Sequence, residues 1–391
     1  MGCGLSRCSS TNLIMKTFAL VDCNNFFVSC ERVFNPAIKN KPTLVLSCND
    51  GCVISRSQEV KDMGVPMGIP HFKIKENYDV SKIAIFSTNF KLYKDMSDRV
   101  MNIIEEFSPE IEVYSIDEAF IDLTSIKNPK EFCEDLQRKI KQYTGIPVSI
   151  GIAPTKTLAK LANRIAKDNQ VGVFQIESGE SAKEILKETS VGKIWGIGSR
   201  ISLSLSKSGI DSAFTLTNQS NQWIQKNFGI GLLRLVNELR GVSCLAFDDI
   251  KEARKSIISS RSFGKPVADF KTLFESISYH IANVAQQMRE EGSATKFLSI
   301  TISTNRHSKM PQYYQSESIV LDRPISDTIE LTKCAHKLLD SIYEEGYEYK
   351  KTGVTISDFV PIGSCQDVDL FGHQTFDKNK LMESIDSLNL I

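Results

Sequence analysis

The amino-acid sequence predicts an α+β fold with more than one domain. The first observation is the length of 391 residues, which exceeds the usual domain size of about 100–200 residues. The second is that short apolar strands alternate with amphipathic helices in the first half, and the third is a βαββαβ order towards the end. Hydrophobic residues make up 41% and charged residues 24%, which is typical of globular proteins and excludes disordered, collagen-like and coiled-coil chains.

The first half begins with residues 17–22 (TFALVD), a short apolar strand that ends in an acid. Asn24 and Asn25 then offer N-cap side chains for a helix with the sequence FFVSCERVF. The later elements are predicted as a strand at 41–47, a strand and short helix at 52–64 that Gly64 ends, helices at 90–107 and 131–144, a strand at 147–153 and a helix at 156–167.

Residues 111–124 (IEVYSIDEAFIDLT) predict a β-hairpin with Asp117 and Glu118 at its tip. Asp22 closes the first strand, so a sheet that pairs these elements brings all three acids to one edge. Such a cluster repels itself unless cations fill it, and Mg²⁺ prefers hard oxygen ligands of this kind. The alternative is that Asp22 caps a helix and that the Asp-Glu pair is a solvated turn.

Charge is unevenly distributed, although lysine plus arginine and aspartate plus glutamate number 47 each. Residues 95–122 hold nine acids and one basic residue, whereas 151–167 hold four basic residues and no acid. In the latter, Lys156, Lys160, Arg164 and Lys167 fall on one helix face. This pattern is typical of a protein that binds cations and polyanions together, and the alternative is an ordinary solvated face.

Residues 180–250 have a helical pattern that glycines interrupt, with a Gly196-Ile197-Gly198 turn. The polar run 251–256 (KEARKS) predicts a linker. The segment after it forms a small independent domain of the split βαβ type. Its elements are predicted as strands at 257–264, 296–304, 313–322 and 350–360 and helices at 270–292 and 327–346.

Ten scattered cysteines without a CxxC pair predict neither a zinc finger nor a disulfide framework, which favours a reducing intracellular compartment. No uncharged apolar run is long enough for a membrane span, so we expect a soluble, cytoplasmic protein without membrane contact. Residues 1–14 are small and polar and precede Met15, and we expect a disordered or spurious extension there.

Three segments resemble the Y-family translesion DNA polymerases: FALVDCNNFFVSCERVF, YSIDEAFIDL and GIAPTKTLAKLANRIAK. Two more, CNDGCVISRSQEVKDMGVPMG and VGKIWGIGSRIS, are similar to the UmuC type, the catalytic subunit of bacterial DNA polymerase V. The resemblance covers roughly residues 17–390. It implies a right-hand arrangement with a palm at 15–26 and 86–174, fingers at 27–85, a helical thumb at 175–250 with a helix-hairpin-helix turn, a linker at 251–256, a little finger at 257–360 and a C-terminal tail at 361–391.

The resemblance also implies a set of functional residues. Asp22, Asp117 and Glu118 would be the catalytic residues and would ligate two Mg²⁺ ions, with the backbone carbonyl of Cys23 completing one shell. Phe27 falls at the steric gate against a 2′-hydroxyl, and Phe26 lies beside it, with a plain core position as the alternative for both. The other implied contacts are Ser55, Gln58, Lys61 and Lys167 to the nucleotide, Cys52 and Ile54 to the nascent base pair, and Lys156, Lys160, Gly196, Gly198, Arg261 and Lys265 to DNA.

In the tail, Leu370 and Phe371 of the run DVDLF resemble a peptide that binds the sliding clamp. Further implied partners are primer-template DNA, a deoxynucleoside triphosphate, a UmuD-like dimer and a recombinase filament. UmuC-type chains also tend to continue past the position of Ile391. The function implied is error-prone translesion synthesis in DNA repair and the SOS response. The alternatives are a catalytically silent repair scaffold tethered to the clamp, and a nucleotidyl cyclase, which shares paired acids on a similar core.

Overall fold

The structure, a computed structural model, describes residues 16–108, 110–247, 254–362 and 378–389. The chain divides into two compact units, Met1–Ile250 and Lys251–Ile391. In the described ranges no helix is long and apolar enough to cross a bilayer. The predicted extension 1–14 and the clamp-like peptide with Leu370 and Phe371 lie outside these ranges.

The first unit contains eight strands and ten α-helices in the residues described. They are β1 (Phe18–Cys23), α1 (Phe26–Phe34), β2 (Thr43–Leu46), β3 (Val53–Arg56), α2 (Gln58–Asp62), α3 (His71–Asn77), β4 (Ala84–Phe86), α4 (Phe90–Phe107), β5 (Ile111–Val113), β6 (Glu118–Asp122), α5 (Pro129–Thr144), β7 (Val148–Ala153), α6 (Lys156–Asp168), β8 (Val173–Gln175), α7 (Glu180–Glu188), α8 (Ser199–Lys207), α9 (Ala213–Thr217) and α10 (Asn221–Leu239).

The main sheet of this unit has the strand order β5-β6-β1-β7-β8. Successive side chains of a strand point to opposite faces, and all six residues of β1 are buried, so both faces of the sheet are covered. Ala19 and Val21 pack in the core that includes residues of α4 and α5. Phe18 and Leu20 pack on the other face, in the core that includes α6. Both faces of β1 are therefore fixed by helices, which holds its acidic end in place.

The predicted hairpin at 111–124 is confirmed. Strands β5 and β6 are antiparallel, with Val113 opposite Ala119. The backbone amides of Tyr114 and Ser115 both donate to the carbonyl of Glu118, at 3.0 and 3.1 Å. The tip is therefore residues 114–117, and Glu118 is the first residue of β6.

A smaller sheet, β3-β2-β4, lies in the stretch predicted as fingers. The strand and short helix predicted at 52–64 are present, and Gly64 follows α2 with φ +77°, a conformation that favours glycine. The N-cap prediction is wrong in detail. Asn25 holds the N-cap position of α1 in a left-handed conformation, and its side chain makes no capping hydrogen bond. The Asn24 side chain instead accepts from Ser149 Oγ at 3.0 Å, which ties the start of α1 to β7.

The second unit has the βαββαβ order that the periodicity predicts, in a sheet with the order β11-β10-β12-β9. Its core is formed by α11 and α12 packed on one face of the sheet. The helix predicted to end at 346 stops four residues earlier because Tyr343, directly after Ile342, already has an extended backbone (φ -74°, ψ 134°). The elements are β9 (Ser256–Val267), α11 (Phe270–Glu290), β10 (Ser293–Thr304), β11 (Tyr314–Ile325), α12 (Thr328–Ile342), β12 (Tyr349–Pro361) and α13 (Lys378–Asn389).

Candidate active site

Asp22 and Glu118 lie directly opposite each other on the antiparallel strands β1 and β6. Cross-strand partners share a face of the sheet, so both carboxylates are on the face that Leu20 and Phe120 present to α6. Asp22 is almost completely buried. The prediction that distant acids meet at one sheet edge therefore holds for this pair.

Asp117 adjoins the pair from the hairpin tip. Its backbone carbonyl accepts a hydrogen bond from the amide of Cys23 at 2.9 Å, which fixes the tip against the end of β1. Its carboxylate accepts from Ser115 Oγ at 2.7 Å. Burial and the neighbouring carboxylates of Asp22 and Asp117 raise the pKa of the Cys23 thiol. The three acids and Cys23 thus form one local group at the edge.

Two lysines of α6 form ion pairs with the paired acids. Lys167 Nζ lies 2.5 Å from Asp22 Oδ1, and Lys160 Nζ lies 2.9 Å from both carboxylate oxygens of Glu118. The two lysines are seven positions apart, which places them two turns apart on one helix face. The Lys160 ammonium also lies over the rings of Tyr114 and Trp195, at 4.7 and 5.3 Å from their centroids. Lys160, which the resemblance assigns to DNA, is held in the acidic group.

Burial, with a smaller contribution from the nearby Glu118 carboxylate, raises the pKa of Asp22 from 3.8 to about 7 against the attraction of Lys167. The cost of removing this carboxylate from water thus exceeds what one ion pair restores. An additional cation at the site would favour the ionised form.

Lys156 differs from the other basic residues of α6, and the prediction that it contacts DNA is not supported. It is only 2% exposed. Its ammonium donates to Glu112 Oε2 and to the carbonyl of Ala246, both at 2.5 Å, and lies 4.5 Å from the ring centroid of Phe247. The polypeptide at 243–247 covers this end of the helix, and therefore Lys156 serves packing.

A cationic group lies beside Asp22. The pKa of Lys61 is lowered by partial burial and by the charges of Lys167 and Arg56. Lys61, Lys167 and Gln58 line a cavity of about 590 Å³. Arg56 was not among the residues predicted from the sequence; buried and half-buried residues alternate along β3, so Arg56 and Ser55 lie on opposite faces of the strand.

The aromatic pair at the start of α1 is split between two environments. Phe26 is 3% exposed and packs in the core, which agrees with the core alternative. Phe27 is half-buried and stacks on Tyr93, with ring centroids 4.5 Å apart and 21° between the ring planes. Phe90 meets Phe27 edge-on at 6.2 Å. These contacts hold the Phe27 ring in one orientation.

Three further predicted residues lie on or next to β3. The Ser55 side chain is buried, and its hydroxyl accepts from the backbone amide of Val28 at 3.4 Å, beneath the first turn of α1. Cys52 makes an isolated bridge to Pro70, and Ile54 packs at the edge of the main core. Ser55 therefore supports α1 and presents little surface to a ligand.

The predicted DNA contacts outside α6 lie in loops and on an edge strand. Gly196 has φ +83°, and a Cβ there would lie 2.8 Å from a methyl group of Leu235, so the turn requires glycine. Gly198 is the N-cap of α8. In the second unit, Arg261 and Lys265 are exposed on β9, an edge strand of its sheet.

The donor set suits a hard divalent cation, since three carboxylates and a backbone carbonyl lie at one edge. In the described ranges no group of three or more His, Cys, Asp or Glu side chains forms a ready metal site. The reason is visible in the geometry: Lys167 and Lys160 occupy two of the carboxylates, and Ser115 holds the third. The raised pKa of Asp22 marks an uncompensated acid that a cation would satisfy. The residues therefore fit a bound divalent cation.

Two family models match the sequence. That of the impB/mucB/samB family matches residues 21–164, and that of the C-terminal domain of the same family matches residues 254–368. The chain belongs to the impB/mucB/samB family. The first match includes the three acids and the lysines of α6 up to Lys160, and the second covers most of the second unit.

Relatives in this family match nearly the whole chain. Protein UmuC of Salmonella typhimurium is 40% identical over 95% of this chain and 90% of its own length. Protein ImpB of Salmonella typhimurium is 38% identical over the same shares. DNA polymerase IV of Oceanobacillus iheyensis is 26% identical over 94% of this chain and 87% of its own length. The predicted membership of the UmuC type of the Y-family is confirmed.

A solved Y-family DNA polymerase chimera superimposes with a TM-score of 0.74, covering 88% of this chain and 99% of its own. The sequence identity is 22%, so this likeness concerns the fold. The predicted fold class, an α+β polymerase fold, is confirmed.

Proposed function

We propose that this protein is an error-prone DNA-directed DNA polymerase that copies past lesions in DNA repair and the SOS response. The observation that carries the proposal is the Asp22–Glu118 pair, which forms ion pairs with Lys167 and Lys160 beside a cationic cavity. Phosphoryl transfer needs little more than positioned charge, which this arrangement provides. The UmuC and DNA polymerase IV relatives support the same activity.

In the proposed reaction the primer 3′-oxygen attacks the α-phosphorus of a deoxynucleoside triphosphate. The bond from the 3′-oxygen to the α-phosphorus forms, and the bond from the α-phosphorus to the β-bridging oxygen breaks. The hydroxyl proton passes to solvent, and the bond's electron pair leaves with pyrophosphate. Asp22, Asp117, Glu118 and the carbonyl of Cys23 would hold two Mg²⁺ ions, which favour the ionised 3′-oxygen and offset the developing charge.

The cationic group holds the polyphosphate. Lys61 and Lys167 act as point charges, and Arg56 adds a guanidinium to the same cluster. Gln58 lines the cavity beside them. Since Lys167 contacts Asp22 directly, one side chain links the acids to the phosphate site.

Phe27 acts as the gate against ribonucleotides. Its ring is fixed by Tyr93 and Phe90, so it cannot swing aside to admit a 2′-hydroxyl. Cys52 and Ile54, both of modest size, cover the nascent base pair and tolerate a damaged template base. The fixed Phe27 ring thus selects deoxyribose over ribose, while the small side chains of Cys52 and Ile54 do not select strongly among template bases.

The remaining contacts are to DNA backbone and to partners. The backbone amides at Gly196 and Gly198, and the exposed Arg261 and Lys265, bind phosphates without reading sequence. We propose a UmuD-like dimer and a recombinase filament as partners, and a sliding clamp that binds through Leu370 and Phe371.

The test is primer extension on a template with an abasic site, with Mg²⁺ and with clamp and accessory proteins present. Asp117→Ala is expected to lower the incorporation rate at least about a thousandfold, because metal-assisted charge stabilisation supplies several kcal/mol. Asp122→Asn, at the other end of β6, is the control and should stay near the wild-type rate. A wild-type protein that adds no nucleotide under any of these conditions contradicts the proposal and favours the silent scaffold.

Phe27→Ala separates the gate from the chemistry. It is expected to admit ribonucleotides while deoxynucleotide incorporation continues. Phe34→Ala, at the exposed end of the same helix, should leave sugar selection unchanged. Unaltered selection in Phe27→Ala would assign the gate to another residue.

A further inference from the structure

The cavity beside Asp22 extends beyond the residues that hold a triphosphate. Lys61 and Lys167 line one side of it. The side towards α5 is lined by Gln137, Lys141 and Gly172, none of which has a part in the proposed chemistry.

Polar groups in fixed positions form the α5 side of the cavity. Gln137 Nε2 donates to the carbonyl of Val148 at 2.9 Å, which ties α5 to the strand that adjoins β1. Gly172 lies against this amide: a Cβ at that position would be 2.2 Å from Gln137 Nε2. Since Gly172 has no side chain, the Gln137 amide fits against it, and Gly172, Gln137 and Lys141 all line the cavity.

The charge of this side is positive. Lys141 is exposed in the last turn of α5, and no ion pair involves it among the residues that the structure describes. The acid of the lining, Asp168, lies 3.8 Å from Arg164. By contrast, Lys139 of the same helix lies over the ring of Phe107 and 3.8 Å from Asp135. Lys141 is thus the lysine of this helix turn that is directed to the cavity.

We propose that the α5 side of the cavity binds inorganic pyrophosphate, and that Lys141 receives the product as it leaves Lys61 and Lys167. The inference rests on the proposed function, in which each addition releases pyrophosphate. A compact polyanion moves readily between neighbouring cations, because each new contact replaces the one that it loses. Lys61, Lys141 and Lys167 all line this one cavity.

The first test is calorimetric titration of the full-length protein with inorganic pyrophosphate, without nucleotide. Lys141→Gln is expected to weaken pyrophosphate binding about fivefold, the loss of one charged contact at a partly exposed site. Lys139→Gln is the matched control, with the same charge change on the same helix, and should bind like the wild type. Lys141→Arg should retain most of the affinity.

The second test is pyrophosphate inhibition of primer extension. The inhibition constant is expected to rise about fivefold in Lys141→Gln and to stay unchanged in Lys139→Gln. If the wild type extends primers but both variants bind pyrophosphate equally, the inference is overturned while the polymerase proposal stands. If the wild type never extends a primer but binds pyrophosphate through Lys141, the polymerase proposal fails and the binding site remains.

Discussion

The two units of this protein treat buried charge in opposite ways. The first unit buries Asp22, Lys156 and Glu238, all of which carry full charges at neutral pH when exposed to water. In the second unit, the buried polar side chains of the described ranges 254–362 and 378–389 are those of His280, Thr295 and Thr352. The first unit therefore bears the free-energy cost of removing ions from water, whereas the second unit buries groups that are neutral.

The difference follows from what each unit has to hold. Carboxylates removed from water interact strongly with any cation that enters, so burying them prepares a site for charged ligands. The second unit carries its basic residues Arg261 and Lys265 on an exposed edge strand, where they meet a polyanion without prior desolvation. The comparison predicts that charge removal alters the first unit far more than the second.

The largest expected effect is at Glu238, which is 0% exposed. Its carboxylate accepts from the backbone amides of Thr157 at 3.0 Å, Cys244 at 2.6 Å and Leu245 at 3.1 Å. Glu238→Ala leaves three buried donors without acceptors and should cost about 4 kcal/mol of unfolding free energy. Urea unfolding followed by tryptophan fluorescence measures this directly, because Trp195 and Trp223 both lie in the first unit.

Thr295→Ala provides the matched change in the second unit. Thr295 is fully buried, and its hydroxyl donates to the carbonyl of Ser357 at 2.6 Å and accepts from the amide of Phe297 at 3.2 Å. We expect a loss of about 1–2 kcal/mol, seen by far-UV circular dichroism but not by tryptophan fluorescence. Equal losses at the two sites would remove the distinction between the units.

Much of this architecture could be predicted from local pattern. Strand and helix existence followed from periods of two and 3.6, and the meeting of Asp22 with Glu118 followed from their positions at strand ends. Periodicity does not reveal which residues of a helix face are covered by another part of the chain. Lys156 and Lys160 lie one turn apart on the same face of α6, yet one is covered by residues 243–247 and the other pairs with Glu118.

The missed residues share a cause. Arg56 adjoins the predicted contact Ser55, but only the fold shows that its charge reaches Lys61. Glu238 looks like a solvated helix residue in the sequence, and its burial depends on a loop that returns from the end of α10. The environments of Arg56 and Glu238 both depend on contacts between elements that are distant in the chain or separated by a turn. The pattern within one sequence segment does not reveal such contacts.

A smaller effect is expected from pH on the metal-free first unit. The pKa of Asp22 is raised to about 7 by burial, so its protonated form stabilises the fold and this stability is lost as pH rises through 7. We expect the unfolding free energy in EDTA to fall by about 1 kcal/mol between pH 6 and pH 8. Tryptophan fluorescence during urea unfolding gives the value at each pH.

Magnesium should reverse this trend, because the ion binds the ionised carboxylate and its affinity rises with pH. Asp22→Asn should remove the pH dependence in EDTA together with the magnesium response. A wild-type curve that stays flat in EDTA would show that Asp22 is already ionised at pH 6, and the cost of burying charge in this unit would then be smaller than the comparison requires.

The smallest effect is expected at His280 in the second unit, and it has the opposite sign. Burial and the charge of Arg261 lower the pKa of this imidazole below 6.5. Its Nδ1 lies 2.8 Å from Ser259 Oγ, and its Nε2 is buried without a hydrogen-bond partner. Because the pKa of His280 is lower in the folded state than in the unfolded state, its protonation favours unfolding. The unit therefore has its full stability above pH 6.5 and loses stability as the pH falls below that value.

Hydrogen exchange in β9 and β12 measures this stability separately from the first unit. Protection in these strands should fall between pH 7 and pH 5 in the wild type, after correction for the intrinsic exchange rate, and should fall less in His280→Gln. His307→Gln, at an exposed position of the same unit, is the control. Because protonation of His280 destabilises this unit and deprotonation of Asp22 destabilises the other, the stabilities of the two units should change with pH in opposite directions between acid and neutral pH, which a single shared electrostatic cause cannot produce.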